Sequence, residues 1–312
     1  MSVLTFGETM ALTSAVNIGP LAHTREMKLG IGGAESNFAI ALARLGNTVN
    51  WVGRVGTDSF GDLVERELRA EGVGLVLIRD STGPTGLMIK ERRTATASRI
   101  WYYRKASAGS NFSIGDISES MLADASILHV TGITPALSES ALEATVHYVD
   151  RASTLGIDVS FDLNYRRALW TPDQARPIFR RIIGQSTVVF AGEDEAAIAV
   201  GEGSAAELAQ RISDLGPAEV VIKLGEQGAL LLADGHLTRH AAIPVAAIDT
   251  VGAGDGFVAG YISEREAGSS IDQRLRTATS VGAFACTVDG DWEGMPRRPE
   301  LRLLTDTEPV IR

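Results

Sequence analysis

Cysteine is nearly absent from this chain, since Cys286 is the only one among its 312 residues. No disulfide can therefore form within the chain, and proteins that depend on disulfides belong to oxidising compartments. The opening segment, MSVLTFGETM, also lacks the basic start and the long apolar run of a secretory signal. These absences lead us to expect a cytoplasmic protein.

Positive charge is also scarce. The 29 lysines and arginines are outnumbered by 39 acidic residues, which gives a formal net charge of −10. Surfaces that bind nucleic acids or anionic membranes are basic, so we expect neither partner. No uninterrupted apolar stretch approaches the roughly 18 residues that a membrane-spanning helix needs. The remaining composition, 45% hydrophobic and 22% charged, is typical of a globular protein with a substantial core.

The sequence does contain an alternation of short β-rich runs with segments of helical spacing. The strand candidates are 3–6, 49–52, 127–130, 157–161, 188–190 and 220–224. The helix candidates are the segment around Phe38, Leu42 and Leu45, and 62–70, 139–155, 171–183 and 205–215. This alternation predicts an α/β fold with a mostly parallel sheet flanked by helices. In such sheets ligands bind at the carboxyl ends of the strands.

One region breaks the alternation. Between residues 85 and 104, GLMIKERR and SRIWYYR have the pattern of two strands joined by a polar turn. With the segment 10–29 they predict a small separate sheet that projects from the α/β body as a lid. No internal repeat or long linker interrupts the chain. We therefore expect one domain, 1–312, with lid segments at about 10–30 and 84–106.

Two glycine-containing segments are candidates for a binding site. In GIGGAESNFAIALARLG, residues 30–46, Gly32 and Gly33 permit close backbone approach, and the Asn37 side chain can donate to and accept from hydroxyl groups. In DTVGAGDGF, residues 249–257, small residues lead into a helix start, where free N–H groups and the helix dipole favour an anion. Asp255 would then be either a base beside a phosphate or a helix N-cap.

Together, and in this order, the two segments resemble the signatures of the PfkB (ribokinase-like) carbohydrate kinases, and the resemblance extends from Val3 to about Pro296. It implies a ribokinase-like fold and phosphoryl transfer from ATP with Mg²⁺. In such kinases the aspartate matching Asp255 takes the proton of the acceptor hydroxyl. The backbone N–H groups at Gly252, Ala253 and Gly254 would face the transferring phosphoryl group. The sequence has no Gly-Lys pair, which excludes a Walker A loop.

The resemblance also implies which residues form the nucleotide-binding part of the site. VVIKLGEQGAL, residues 220–230, is similar to the family's nucleotide strand and turn, so Lys223, Gly225 and Gly228 would lie along the phosphates and ribose. Gly228 could equally serve only a hairpin turn. The asparagine that the family places here in its last long helix is replaced by Thr279.

The metal position departs from the family pattern. Where these kinases often have Asn-x-x-Glu, this chain has Gly192 and Glu195. By resemblance, Glu195 would still organise Mg²⁺ and its waters, whereas Gly192 offers no side chain. Asn164 would lie between the sugar and the nucleotide.

Three further segments, 101–104, 162–170 and 290–296, resemble those of the family's 2-keto-3-deoxygluconate kinases. Such a substrate carries a carboxylate, which an acidic protein must hold with dedicated cations, and the planar fork of arginine suits this task. The resemblance assigns the carboxylate to Arg104 and Arg166, nearby oxygens to Tyr102 and a sugar hydroxyl to Asp291. Alternation along a strand predicts Tyr102 and Arg104 on one face. The other predicted sugar-binding residues are Gly33, Ala34, Asn37 and Asp255.

Alternatives remain open at this point. Met88 stands where acid-sugar kinases often have tyrosine, so either the gluconate or the galactonate epimer fits. A neutral-sugar kinase of the fructokinase or ribokinase type is a second candidate, and a non-catalytic sugar-binding regulator is a third. Asp255 and its small-residue loop favour an enzyme. Lid sheets of this family often pair between subunits, which would cover an exposed sheet edge and predicts a homo-oligomer.

Overall fold

The computed structural model describes residues 2–94 and 97–304. Its strands are, in chain order, β1 (Ser2–Phe6), β2 (Met10–Ala15), β3 (Met27–Gly32), β4 (Val49–Gly56), β5 (Gly74–Asp80), β6 (Leu87–Arg92), β7 (Ser98–Tyr103), β8 (Ala125–Thr131), β9 (Asp158–Asp162), β10 (Val188–Gly192), β11 (Glu219–Lys223), β12 (Ala229–Ala233) and β13 (His236–His240). Its α-helices are α1 (Ala34–Arg44), α2 (Ser59–Ala70), α3 (Glu119–Ala123), α4 (Glu139–Thr154), α5 (Pro172–Ile183), α6 (Glu193–Val200), α7 (Ala205–Ser213), α8 (Ala253–Glu266) and α9 (Ile271–Ala285). None of the helices in these ranges is long and apolar enough to cross a membrane.

Nine strands form the large sheet, in the order β13-β12-β11-β10-β9-β8-β1-β4-β5. All neighbours are parallel except β11–β12 and β12–β13. The chain therefore builds outward from β1 in both directions, which creates a crevice at the carboxyl ends of the central strands. The predicted α/β fold class is confirmed.

Both faces of the large sheet are buried, which is why its strands are almost continuous hydrophobic runs. Along β1, Val3 packs into one core with α1, α8 and α9, whereas Leu4 and Phe6 pack into a second core with α4 and α5. Apolar side chains that alternate between two cores fix the register of each central strand. The carboxyl ends of the strands are held rigidly as a result.

The small sheet has the order β3-β2-β6-β7 and is formed by the two segments predicted from the sequence. Strands β6 and β7 pair antiparallel, so the predicted hairpin is confirmed. Residues 95 and 96 of its turn, and residues 305–312 of the expected domain, lie outside the described residues. Met10, Leu12 and Met88 form a small apolar cluster on the face directed to the large sheet.

The sequence-based prediction missed edge elements. The central strands agree with the prediction to within about two residues at most ends, but β4 continues to Gly56, and β5 and the β12–β13 hairpin were not predicted. The hairpin turns at Asp234 and Gly235, both with positive φ (50° and 73°), and Asp-Gly is a known hairpin signal. The polar β13 lies at a sheet edge and has no apolar alternation to reveal it.

Candidate active site

A cavity of about 460 Å³ lies between the carboxyl ends of the large sheet and the small sheet. Five neighbouring strands of the large sheet, β1, β8, β9, β10 and β11, each place residues on its wall immediately after the strand or at its last position. On the large-sheet side these are Glu8, Ile133, Asp162, Asn164, Arg166, Gly192, Glu195 and Lys223, and on the small-sheet side they are Met10, Met88, Ile100, Tyr102 and Arg104. The parallel topology thus brings together polar residues that are far apart in sequence.

The N-terminus of α8 forms one side of the cavity. Its N-cap is Gly252 with φ +78°, where a Cβ atom would lie 1.7 Å from the Asp291 carbonyl oxygen, so only glycine fits. N–H groups in the first turn of a helix have no acceptor in a preceding turn. Gly252 and Gly254 line the cavity as predicted. Ala253 instead packs against the core, and its N–H donates weakly to the Thr250 carbonyl at 3.4 Å.

Asp255 is the third residue of α8, so it is not the N-cap that the sequence left open. Its two carboxylate oxygens accept hydrogen bonds from Asn37 Nδ2 at 2.8 Å and from Asn164 Nδ2 at 3.3 Å. Burial raises the pKa of Asp255 to about 6, although Asn37 and Arg166 act to lower it. A carboxylate with this pKa is a suitable general base near neutral pH.

The two asparagines reach Asp255 from different elements. Asn37 lies in the first turn of α1, and its Oδ1 atom is buried with no hydrogen-bond partner in the described part of the protein. Asn164 follows β9 with φ +35°, a conformation that asparagine tolerates better than most residues. Gly33, the N-cap of α1, packs so closely that a Cβ atom would lie 2.4 Å from the Glu8 carbonyl oxygen. Ala34 lines the cavity beside it.

Lys223 forms an ion pair with Asp162, with Nζ 2.7 Å from Oδ1 and 2.9 Å from Oδ2. Burial acts to lower the pKa of Lys223, but the carboxylates of Asp162 and Glu195 outweigh it and raise that pKa. Burial raises the pKa of Asp162 to about 6, against the opposing effect of Lys223. The lysine is therefore a fixed cation on the cavity wall, close to the first turn of α8.

Glu195 lines the cavity in the first turn of α6. One of its oxygens accepts from the Gly192 N–H at 2.8 Å and the other from the Tyr165 N–H at 2.9 Å. The carboxylate thus joins two loops at the ends of β9 and β10. No cluster of three or more acidic, histidine or cysteine side chains suited to a metal occurs in residues 2–94 and 97–304.

The two predicted arginines differ in their surroundings. Arg104 donates through Nε to Glu8 Oε2 at 2.7 Å, and Glu8 is 2% exposed and also accepts from the Ser107 hydroxyl. Arg166 donates to the Tyr165 carbonyl at 3.2 Å and has no carboxylate partner in the described ranges. Both arginines line the cavity, but of the two only Arg104 forms an ion pair among the described residues.

Tyr102 and Asp291 contribute further polar atoms. Tyr102 pairs across the small sheet with Met88 and lines the cavity together with Arg104, so the predicted shared face is confirmed. Burial raises the pKa of Asp291 to about 7, and its Oδ1 atom has no hydrogen-bond partner within the described residues. A buried acceptor of this kind is suited to a ligand hydroxyl.

Three predicted nucleotide residues lie outside the cavity. Gly228 has φ +94° in the turn between β11 and β12, where a Cβ atom would lie 2.0 Å from the His240 carbonyl, so the alternative turn role is supported. Gly225 lies in the same turn with φ +56°. The Thr279 hydroxyl is buried and donates to the Leu275 carbonyl of its own helix at 2.9 Å.

Sequence reasoning gave no role to several charged residues around the site, among them Glu8, Glu35, Lys90 and Asp162. Glu8 and Glu35 line the cavity, and Glu35 accepts from the hydroxyls of Thr131 at 2.6 Å and Thr134 at 2.7 Å. Burial raises the pKa of Glu35. Lys90, in β6, is paired with a residue of the DTVGAGDGF segment. Glu35 lies inside the glycine-containing segment 30–46. No local sequence pattern marks Glu8 or Lys90 as site residues, because their partners are distant in sequence.

Comparison with known proteins agrees with this geometry. The chain matches the family model "pfkB family carbohydrate kinase" over residues 1–298. A 2-dehydro-3-deoxygluconokinase from Bacillus subtilis is 35% identical and aligns with 100% of this chain and 97% of its own length. A 2-dehydro-3-deoxygalactonokinase from Haloferax volcanii is 31% identical, with 93% of this chain and 92% of that protein aligned.

The fold comparison agrees as well. A protein described as Ribokinase II from E. coli, solved in complex with ATP and Mg²⁺, matches with a TM-score of 0.91 at 25% identity and covers 97% of this chain and 98% of that one. The resemblance inferred from the two glycine-containing segments is thereby confirmed. This protein is a sugar kinase that belongs to the pfkB family of carbohydrate kinases.

Proposed function

We propose that this kinase transfers the γ-phosphoryl group of ATP to the primary 6-hydroxyl of 2-keto-3-deoxygluconate, as a 2-dehydro-3-deoxygluconokinase. The observation that carries the proposal is that Asp255 lines one cavity together with Arg166, which has no ion-pair partner among the described residues. A base for a hydroxyl and a cation for a carboxylate are the two groups that phosphorylation of an acid sugar requires. The name of the B. subtilis relative agrees with this substrate.

In the proposed reaction Asp255 accepts the proton of the sugar hydroxyl. The hydroxyl oxygen forms a bond to the γ-phosphorus as the bond between that phosphorus and the bridging oxygen breaks, and ADP leaves with the bonding electrons. Asn37 and Asn164 keep the carboxylate in one orientation. The first-turn N–H groups of α8 would face the oxygens on which negative charge is spread, a form of fixed-dipole stabilisation that is typical of phosphoryl transfer.

The cavity wall fits a nucleotide phosphate chain and a magnesium ion. The helix start at Gly252 offers N–H donors, and the Lys223 ammonium, although it is paired with Asp162, offers a further donor to the phosphates. Asp162 and Glu195 lie on the same wall. Because Glu195 already accepts two backbone N–H groups, we assign it to the water shell of Mg²⁺ and not to a direct bond. When bound, Mg²⁺ would neutralise phosphate charge. A role in nucleotide binding rests on the sequence resemblance alone for Gly225, Gly228 and Thr279.

At the sugar end, the proposal gives the carboxylate to Arg166 with support from Arg104. Arg104 is already neutralised by Glu8, so it is better placed to donate to uncharged sugar oxygens than to act as a second full charge. Tyr102 donates beside it. Asp291 offers a buried oxygen to a sugar hydroxyl.

Release of ADP with Mg·ATP tests the proposal directly. The acceptors are 2-keto-3-deoxygluconate, its galactonate epimer, fructose and ribose. We expect turnover of an acid sugar, and we expect Arg166→Met to lower kcat/KM for that sugar by about 10- to 100-fold, since hydrogen bonds to a charged group contribute about 1.5–3 kcal/mol. Arg167→Met is the matched control, because Arg167 is also exposed and adjacent but does not line the cavity.

Other outcomes would change the proposed substrate or the proposed activity. Turnover of fructose or ribose alone would keep the kinase and remove the acid-sugar argument. A preference for the galactonate epimer would align the chain with the H. volcanii relative. Heat stabilisation by an acid sugar without any ADP release would point to a binding regulator.

We also propose that the small sheet is a lid and that the protein forms a homo-oligomer through it. The face of this sheet directed away from the cavity exposes several large apolar side chains: Met27 (39%), Leu29 (51%), Trp101 (37%) and Tyr103 (61%). These side chains lie on β3 and β7, the two edge strands of the small sheet, and an exposed sheet edge can pair with a second chain. Sedimentation of the wild type should show an oligomer that Leu29→Arg dissociates, and a wild-type monomer at micromolar concentration would contradict this proposal.

The location of the protein and its domain organisation are also matters of proposal. We propose that the enzyme acts in the cytoplasm, where ATP is available and a chain with one cysteine needs no disulfide. We also propose that residues 1–312 unfold as one unit with the lid. A cell fractionation that recovers the protein outside the cytoplasm, or a calorimetric trace with two separate transitions, would contradict the respective statement.

A further inference from the structure

A buried lysine, Lys90, connects the small sheet to the catalytic segment. It lies in β6 and is 0% exposed, although lysine is among the residues that are least often fully buried. Its ammonium group is paired with the carboxylate of Asp249 and lies 3.8 Å from Oδ1 of Asp291. Lys90 is absent from the cavity wall, so it would act on a substrate only through these two residues.

Asp249 in turn joins two segments of the site. Its Oδ1 atom accepts from the Val251 N–H at 3.2 Å, directly before the helix start at Gly252. Its Oδ2 atom accepts from the Gly290 N–H at 3.2 Å, directly before Asp291. One carboxylate thus fixes the turn that leads into α8 and the loop that carries the sugar-contacting aspartate.

Lys90 places a positive charge beside the two carboxyl groups of Asp249 and Asp291. Asp249 and Asp291 are both nearly inaccessible to water, with side-chain exposures of 8% and 5%. Without the ammonium group the Asp249 carboxylate would stand uncompensated beside the helix start that must receive phosphate, and Asp291, whose pKa burial already raises to about 7, would lose the charge that opposes its protonation. Uncompensated buried charge is costly and repels further negative charge.

We propose that Lys90 is a positioning residue for phosphoryl transfer. It supplies the positive charge that holds Asp249 and Asp291 together, and so keeps the first turn of α8 open to phosphate and Asp291 directed at the sugar. The proposal rests on the function proposed above. It also means that the lid strand β6 and the phosphate-binding turn form one electrostatic unit.

Replacing Lys90 by methionine tests this role, because methionine keeps most of the side-chain length and removes the charge. We expect kcat to fall about 100-fold, the size of effect that misplacement of a reacting group by about 1 Å produces. We also expect Mg·ATP to bind about ten-fold more weakly to the folded variant, measured by calorimetry. Lys28→Met is the matched control, since Lys28 is in the same sheet but its side chain is 56% exposed.

A second variant separates positioning from mere stability. In Lys90→Ala the shortened side chain leaves room for a small cation. Ammonium or methylammonium should restore kcat in a saturable manner, whereas tetramethylammonium at equal ionic strength should not. A purely structural lysine would give normal kcat and normal Mg·ATP affinity in the fraction that folds, and no selective rescue.

The outcomes distinguish the two proposals. A wild type that phosphorylates a sugar, together with a Lys90→Met variant that keeps wild-type kcat and Mg·ATP affinity, overturns the role of Lys90 alone. A wild type that neither binds Mg·ATP nor phosphorylates any sugar overturns the proposed function and with it the role of Lys90. Loss in Lys90→Met with amine rescue in Lys90→Ala supports both.

Discussion

The two walls of the cavity are built differently. On the large-sheet wall, Asp162 is buried and Asp255 and Lys223 are half-buried, and hydrogen-bond partners fix all three before any ligand arrives. On the small-sheet wall, Met88 packs in an apolar cluster and Tyr102 is 41% exposed. The first wall is anchored on strands with two buried faces, whereas the second belongs to a thin sheet with one face open.

This contrast indicates that the two walls have different roles in the reaction. Groups that perform chemistry must be held in fixed geometry, because fixed dipoles need no reorganisation during the reaction. Groups that enclose and select a sugar can move as the site closes. Changes to the catalytic groups of the large-sheet wall should therefore lower kcat, and changes on the small-sheet wall should mainly raise KM. The predictions below test this difference, from the largest expected effect to the smallest.

Asp255→Asn should have the largest effect. It keeps the size of the side chain but removes the base, so we expect kcat to fall about 10³–10⁴-fold, toward the upper end of what a general base contributes. ADP release in the presence of saturating sugar measures this loss. Asp272→Asn, at a side chain that is 65% exposed on α9, serves as the control. Residual activity above a tenth of the wild type would remove Asp255 from the role of base.

Gly252→Ala should follow. The added Cβ atom would collide with the Asp291 carbonyl oxygen and force the helix start to move, which we expect to lower kcat about 100-fold. Gly268→Ala is a matched control, because Gly268 also has positive φ (69°) but an added Cβ atom meets nothing within 4 Å. Equal losses in both variants would attribute the effect to backbone strain in general and not to the phosphate-binding turn.

Tyr102→Ala should act on the other wall. Removing this ring from the small-sheet face should raise the sugar KM about ten-fold, roughly 1.4 kcal/mol of binding, while kcat stays within a factor of about three of the wild type. Leu237→Ala is the control, because it removes an exposed apolar side chain from the edge strand β13, which does not line the cavity. A large fall in kcat with unchanged KM would contradict the proposed division between the walls.

The smallest effect concerns pH. Burial raises the pKa of Asp255 to about 6, so kcat/KM should fall as the pH drops below about 6 and the base becomes protonated. Arg166 acts to lower this pKa. In Arg166→Met the pKa should therefore rise, and the acid limb of the remaining activity should move to higher pH, as a pH series with Arg167→Met in parallel can show. An acid limb that stays in place or moves to lower pH would mean that another group controls it.

The site was predictable where its chemistry is encoded locally. Gly252, Asp255 and Asn37 were found from short segments, because glycine spacing before a helix is visible in the sequence. Other contacts were not predictable. Glu8 and Arg104 are 96 residues apart, so no local pattern reveals that the arginine arrives with its charge already neutralised.

On the nucleotide side, the residue types are visible in the sequence but their surroundings are not. Gly225 and Gly228 have the residue types of a phosphate loop, yet both lie in the β11–β12 turn outside the cavity. A glycine at positive φ looks the same in a sequence whether a ligand or only a tight turn requires it. The difference depends on which strand crosses beside it, and β12 and β13 had not been predicted.

By itself, the sequence determined the α/β class, the two-sheet organisation and the family, and it singled out Asp255 as the candidate base, because periodicity and motif spacing are local properties of the chain. Only the tertiary structure decided which charges are paired. Lys90 and Asp249, 159 residues apart, meet in the interior, and desolvation by the whole surrounding fold sets the pKa of Asp255. Burial and long-range pairing are properties of the packed molecule, and they distinguish the free Arg166 from the neutralised Arg104.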